Sequence, residues 1–194
     1  MQNAREALRI VRQLGTAEDE VLALSTLLRV CVVSGDLEGA LAWVNDVLPL
    51  LADYDSEGIA PQVNSFHALA LAGLGRHAQA REALARAEQS SERQWPYVQV
   101  RTDLAKAGAL RRLGESERAR KLLQRALASA EANGFRFFQL LIHHELTHVA
   151  DDETARSRHS RVASALARSL AANLSREDAK LFLSREWGGV RHEA

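Results

Sequence analysis

The sequence lacks several features that would assign it to a common class. Its 194 residues include a single cysteine, Cys31, so no internal disulfide can form, and we expect a reducing compartment, the cytoplasm. No apolar run approaches the ~20 residues of a membrane-spanning helix, and no membrane partner is expected. Aromatic residues make up only 5%, and the formal net charge is zero. The zero net charge argues against a nucleic-acid partner, since proteins that bind nucleic acids normally carry a basic excess. The low aromatic content argues in the same direction.

Helix-forming residues dominate what is present. Alanine, leucine, arginine and glutamate are strong helix formers, whereas the alternating pattern of half-buried strands is absent. Hydrophobic residues reach 46%, enough for a core. Apolar residues at helical spacing, divided by short glycine-containing turns, predict ten helices and an all-α protein.

Three segments repeat one pattern around a turn. Each has a glycine where the chain reverses and an alanine five residues later, where two helices could approach closely. These pairs are Gly35 with Ala40, Gly75 with Ala80, and Gly114 with Ala119. The glycines lie 40 and 39 residues apart, so the sequence predicts a repeated helical hairpin.

This pattern resembles the tetratricopeptide repeat family, in a long-helix form similar to the C-terminal arrays of bacterial multidomain kinases and regulatory ATPases. The spacing exceeds the ~34 residues of the standard repeat. The resemblance implies a right-handed α-solenoid of antiparallel helical hairpins. Pro49, inside the second helix of the first full repeat, should bend that helix or end it early. The implied divisions are a half-repeat (2–15), three repeats (17–55, 59–93 and 96–134), a degenerate repeat (136–173) and a capping helix (175–187).

The two ends of the array carry separate expectations. The half-repeat has the pattern of a second helix without its first, so the chain either begins at a natural start or was cut from a longer protein. We favour the second alternative, and an exposed half-repeat would also allow self-association. At the other end, Leu181, Phe182 and Trp187 should fold back onto the last repeat.

The resemblance also implies a concave groove lined by the first helix of each hairpin. Offsets from the turns place the following residues in the partner-binding groove: Arg29, Arg101, Leu104, Arg111, Arg112, Phe137, Leu140, His144 and His148, with Ser25, Val33, Gln62, Ser65 and Leu69 alongside them. Arginine pairs with carboxylates and stacks on aromatic rings, so the guest would be an acidic, partly apolar peptide or a neighbouring domain. Alternatively, the arginines are simply solvated.

A second hypothesis comes from the sequence His144-Glu145-Leu146-Thr147-His148, which matches HExxH. On a helix, this spacing places two imidazoles one turn apart, able to bind Zn²⁺, with the glutamate as general base. It resembles the zinc metallopeptidases. However, Thr154 stands where the extended motif of one such group requires a third histidine. We therefore expect a chance match, no cofactor and no catalysis, and keep the peptidase as the alternative.

Charge is balanced globally but not locally. Residues 1–97 carry 8 basic and 13 acidic side chains, and residues 98–194 carry 17 and 12, giving net charges of −5 and +5. Most of the predicted basic groove residues therefore lie in the second half. The resemblance implies a protein-binding scaffold that is part of a bacterial signalling or regulatory protein.

Overall fold

The computed structural model of the chain describes residues 2–54, 58–89 and 95–184. These residues form ten α-helices and no strand, which confirms the all-α prediction. The helices are α1 (Gln2–Leu14), α2 (Ala17–Ser34), α3 (Leu37–Tyr54), α4 (Ile59–Gly73), α5 (His77–Gln89), α6 (Pro96–Arg112), α7 (Ser116–Ala132), α8 (Arg136–His148), α9 (Glu153–Ala171) and α10 (Arg176–Leu183). None of them, within the described ranges, has the length and apolar character needed to cross a bilayer.

The glycine turns share one backbone geometry. Gly35, Gly75 and Gly114 have φ values of 84°, 74° and 81°, in the left-handed region that favours glycine. At the first turn, the N–H of Gly35 donates to a carbonyl three residues back, and the next N–H donates to Cys31 O at 2.9 Å. The other two turns repeat these bonds. This is the Schellman motif, so the predicted reversals are confirmed.

The helices form two compact units, Met1–Gln94 and Trp95–Ala194. Within the first unit, α2 pairs with α3 and α4 with α5, while α4 also contacts both α2 and α3, and α1 packs on α2. Within the second unit, α6 pairs with α7 and α8 with α9, while α8 contacts both α6 and α7, and α10 packs on α9. In each unit, the first helix of the second hairpin therefore contacts both helices of the first hairpin.

Small residues fill the seams between paired helices. The alanines that follow the turns, Ala40, Ala80 and Ala119, are completely buried. An alanine in these positions lets two helix backbones approach to the short end of the usual ~8–10 Å range. Cys31 is also completely buried, as a small core residue.

In two successive hairpins, α4–α5 and α6–α7, a hydrogen-bonded pair of polar side chains links the two helices. We call this pair the clasp. In the first unit, Arg86 Nε of α5 donates to Asn64 Oδ1 of α4 at 3.2 Å. In the second, Arg125 Nη2 of α7 lies 3.0 Å from both carboxylate oxygens of Asp103 in α6, which is only 1% exposed. Both pairs span 22 residues, and the second lies 39 residues after the first. The two pairs are therefore separated by the same 39 residues as the turn glycines Gly75 and Gly114.

Two expectations concern helix ends, and each is corrected in one part. Helix α3 continues past Pro49 to Tyr54, so the proline does not end it early. Helix α10 packs Phe182 and Leu183 against the α8–α9 core, but Leu181 points away and is exposed. Ser175 caps α10 by accepting the N–H of Asp178 at 3.1 Å. Trp187 and the rest of the predicted segment after 184 lie outside the described residues.

Candidate functional site

Helix α6 presents one accessible stripe. Tyr97, Arg101, Leu104 and Arg111 are spaced by four, three and seven residues, which places them on one face of a helix. Tyr97 is exposed and the other three are half-buried, whereas residues 105 to 110 of α6 are all buried, including Gly108 on the same face as the stripe. The side chains of this stripe are therefore available to a partner.

Helix α8 presents a matching stripe beside it. Phe137, Leu141, His144 and His148 are spaced by four, three and four residues and are exposed or half-buried. Phe137 is 49% exposed, a large apolar surface for a ring. Because α6 and α8 are in contact, the two stripes form one continuous area, which we call the α6–α8 surface.

Aromatic rings occupy the end of this surface where both helices begin. The Tyr97 ring lies edge-on to the rings of Phe135 and Phe138, with centroids 5.8 and 5.1 Å apart. The Arg101 guanidinium lies 5.3 Å from the Tyr97 ring centroid, a cation–π contact. These contacts fix the rings, so a partner that packs on them orders few additional side chains.

Charged groups occupy the other end, where both helices finish. Arg111 Nε of α6 lies 2.9 Å from Glu145 Oε2 of α8, and both side chains are about three-quarters buried. Arg112 follows directly, and its Nη1 donates to Gly108 O at 3.1 Å. Among the described residues, Arg112 has no hydrogen bond to a carboxylate. Desolvation lowers the pKa of Arg112, and the neighbouring Arg111 acts in the same direction, against Glu145.

The two histidines of the HExxH sequence contact each other. Their rings meet edge to face, with centroids 5.0 Å apart. Partial desolvation lowers the pKa of His148, and the charges of Arg111 and Arg112 act in the same direction, against Glu145. His148 is therefore a neutral polar group beside arginines at pH 7.

The donor set for zinc is incomplete in the part of the chain that the structure describes. It contains no group of three or more His, Cys, Asp or Glu side chains arranged to hold a metal ion. Glu145, the general base of the peptidase hypothesis, is engaged by Arg111. Because Arg111 already holds this carboxylate, the geometry gives that hypothesis no support.

Two predicted groove residues, Leu140 and Ser65, are buried instead. Leu140 is completely buried against Ala163 and Ala167 of α9, in the core of the α8–α9 hairpin. It therefore cannot contact a partner, and its groove assignment is corrected. Ser65 is likewise completely buried, and its Oγ donates to Pro61 O at 2.6 Å.

The remaining predicted residues divide between the two units. Arg29 is half-buried in α2 of the first unit, where Ser25, Val33, Gln62 and Leu69 also lie, whereas the other seven lie on the second. The α6–α8 surface thus contains Arg101, Leu104, Arg111, Arg112, Phe137, His144 and His148.

Two features of this surface, Tyr97 and the Arg111–Glu145 pair, were not predicted from the sequence. Tyr97 lies one turn before Arg101 on the same stripe, so the helical spacing already contained the signal. The Arg111–Glu145 pair had no such signal, because its residues lie 34 positions apart on different helices.

Comparison with known proteins adds no family to this description. No family model, curated protein or solved structure matches the chain.

Proposed function

We propose that this chain is a non-catalytic protein–protein interaction scaffold whose α6–α8 surface binds an acidic, partly apolar peptide segment or a neighbouring domain. One observation carries the proposal: two adjacent helices combine exposed rings at one end with two neighbouring arginines at the other, of which Arg111, but not Arg112, is paired with a carboxylate among the described residues. Tyrosine and arginine dominate the binding energy of protein interfaces. Such a surface suits a guest that has an apolar anchor followed by carboxylates.

The two ends have different roles in the proposed complex. Phe137 and Tyr97 supply apolar area, and burying this area excludes water from the neighbouring contacts. Arg112 supplies a guanidinium that can bind a carboxylate through two parallel hydrogen bonds. Arg111 is already paired with Glu145, so a guest would compete for it. We expect Arg112 to contribute more to affinity than Arg111.

The architecture that we propose is tetratricopeptide-like. The repeated Schellman turns, the buried alanines and the contact of successive first helices inside each unit support it. A continuous right-handed solenoid through both units, a cytoplasmic location and an origin in a bacterial regulator are parts of the same proposal. They stay predictions.

A peptide array tests the proposed guest. Peptides that pair an aromatic or leucine anchor with several glutamates would be compared with the same peptides carrying glutamine. The full chain should prefer the acidic set. In fluorescence anisotropy, Arg112→Glu should weaken the best binder by about tenfold or more, the loss typical of a close charge pair.

The controls separate binding from folding. Arg176→Glu reverses a charge on α10, away from the surface, and should leave the affinity unchanged. Circular dichroism should show equal helix content for both variants. Equal affinity of the wild type and Arg112→Glu would contradict the basic-end proposal, and equal binding of glutamine peptides would contradict the acidic preference.

Measurements of the zinc content and peptide hydrolysis of the purified protein test the peptidase alternative. Stoichiometric zinc in the purified protein, lost together with peptide hydrolysis in His144→Ala/His148→Ala, would overturn the non-catalytic proposal.

A further inference from the structure

A cavity of about 280 Å³ lies on the first unit, lined by residues of α3, α4 and α5 and of the turn before α5. It is partly open to solvent and shares no residue with the α6–α8 surface. Pockets for drug-sized ligands measure about 300–1,000 Å³, so this cavity suits a smaller molecule. We call it the α4 cavity. Its wall combines apolar, cationic, anionic and imidazole groups, which belong to Leu41, Leu71, Arg76, Arg86, Glu82 and His67.

Two opposite charges line this cavity without pairing with each other. Glu82 and Arg86 lie four residues apart on α5, a spacing at which such side chains commonly form an ion pair. Arg86 instead donates its Nε–H to Asn64 Oδ1 of α4 at 3.2 Å, as the arginine of the clasp. In the part of the chain that the structure describes, Glu82 has no ion pair and Arg86 has no carboxylate partner. The clasp therefore keeps the two charges apart on one wall.

His67 of α4 is a neutral part of the wall. Its Nδ1 is buried and has no hydrogen-bond partner among the described residues. Desolvation lowers the pKa of His67 to about 4, and the charge of Arg86 acts in the same direction. The ring is therefore uncharged at pH 7 and repels neither charge of a ligand. A proton on Nδ1 would have no acceptor, so Nε2 carries the proton and is the donor of this ring.

The remaining groups of the wall define what a ligand must carry. Arg76 is already engaged, because its Nη2 lies 3.1 Å from Glu38 Oε1. Arg86 is therefore the guanidinium that a ligand carboxylate would meet, and Glu82 is the acceptor for a cationic group. Leu41 and Leu71 supply apolar area. A ligand that matches this wall combines a carboxylate, a cation and an apolar part in a small molecule.

We infer that the α4 cavity binds a free α-amino acid with an apolar side chain. The carboxylate pairs with Arg86 and accepts from His67 Nε2, the ammonium group donates to Glu82, and the side chain packs on the leucines. Residues four apart on a helix have Cβ atoms about 5–6 Å apart. An α-amino acid carries both charges on one carbon, so a single molecule can reach Glu82 and Arg86 together.

Isothermal titration calorimetry of the full chain with L-leucine tests the inference. We expect a dissociation constant of roughly 0.1–1 mM, the order for so small a ligand in an open cavity. Leucinamide lacks the carboxylate and isocaproate lacks the ammonium group, so each should bind about tenfold more weakly. Free glycine keeps both charges but has no side chain to pack on the leucines, and it should bind about tenfold more weakly as well.

Variants identify the two charged contacts. Glu82→Gln should weaken L-leucine binding about tenfold and leave isocaproate binding unchanged, because isocaproate has no ammonium group. Arg86→Gln should weaken L-leucine binding and leave leucinamide binding unchanged. Glu131→Gln and Arg168→Gln make the same changes in charge on the second unit and should bind L-leucine as the wild type does. Arg86 also belongs to the clasp, so circular dichroism checks the helix content, and the ligand series on the wild type is independent of that variant.

Three results would overturn the inference. They are no heat of L-leucine binding to the wild type at ten times the expected dissociation constant, equal binding of L-leucine and either analogue that lacks one charge, or unchanged L-leucine binding to Glu82→Gln. None of the variants alters the α6–α8 surface. Failure here therefore leaves the peptide-binding proposal intact, and failure of peptide binding leaves this inference intact.

Discussion

Replacing Leu140 with alanine tests the division between core and surface on α8. Leu140 is 0% exposed, and its neighbours across the hairpin are the alanines Ala163 and Ala167. Phe137, three residues earlier on the same helix, is 49% exposed. Sequence offsets assigned both residues to one groove, whereas the structure gives them opposite environments. Matched truncations should therefore have opposite effects on stability and on binding.

The expected loss of stability follows from the packing. Truncating a buried leucine removes its transfer free energy and leaves a cavity, which together destabilise proteins by roughly 2–5 kcal/mol. The alanines opposite Leu140 cannot extend into the gap, whereas the partly buried Leu166 and Leu170 beside them can shift towards it. We therefore expect a middle value of about 3 kcal/mol for Leu140→Ala. Phe137→Ala should cost less than about 1 kcal/mol, because the ring is half exposed.

Urea unfolding followed by circular dichroism measures both variants. Because the chain has two compact units, the transition need not be two-state, and hydrogen exchange of the α8 amides identifies the unit that carries the loss. Peptide binding should respond in the reverse order, with Phe137→Ala weakened and Leu140→Ala unchanged under conditions where it is folded. A stability loss for Leu140→Ala below about 1 kcal/mol, or one no larger than that of Phe137→Ala, would refute the assignment.

Two further predictions concern polar pairs. His143 Nδ1 of α8 lies 2.9 Å from His159 Nδ1 of α9, and desolvation lowers the pKa of both, that of His143 from 6.5 to about 4. The unfolded chain then takes up protons first, so the free energy of unfolding should fall as pH drops from 6.5 towards 4, and His143→Gln should flatten this dependence in urea titrations. Arg125→Ala removes the guanidinium from the buried Asp103 carboxylate, which keeps the hydrogen bond from Gln99 Nε2, and should cost about 1–3 kcal/mol. Adding Asp103→Asn should recover part of that loss; no recovery would contradict the clasp.

Local chemistry explains which parts of the fold the sequence predicts. A left-handed turn strongly favours glycine, so Gly35, Gly75 and Gly114 mark reversals without knowledge of the tertiary structure. A close helix crossing favours a small residue, so Ala80 and Ala119 mark seams in the same way. These signals depend only on residues close in sequence, and they located all ten helices of the described chain.

The predictions that failed concern contacts between residues that are distant in sequence. Leu140 lies about 60° around α8 from Phe137. This small angle separates a buried side chain from an exposed one only because α9 covers the side of α8 on which Leu140 lies. The bond from Arg111 to Glu145 depends on α6 and α8 being neighbours. Asp103 and Arg125 could have been found, since Asn64 and Arg86 stand one repeat earlier at the same separation, but the search followed apolar and small residues only.

The same comparison distinguishes Arg125 from Arg161, which lies 36 residues later at the corresponding place in the last hairpin. The residue 22 positions before Arg161 is Gln139, whose side-chain amide donates to Ala130 O at 3.1 Å, whereas the buried Asp103 pairs with Arg125. Arg161→Ala should therefore leave the urea midpoint unchanged, while Arg125→Ala lowers it. Arg86→Ala removes a bond to the neutral Asn64 and should lie between them in stability. If Arg161→Ala proves as destabilising as Arg125→Ala, then Arg161 holds the last hairpin together in a way that the comparison of the hairpins misses.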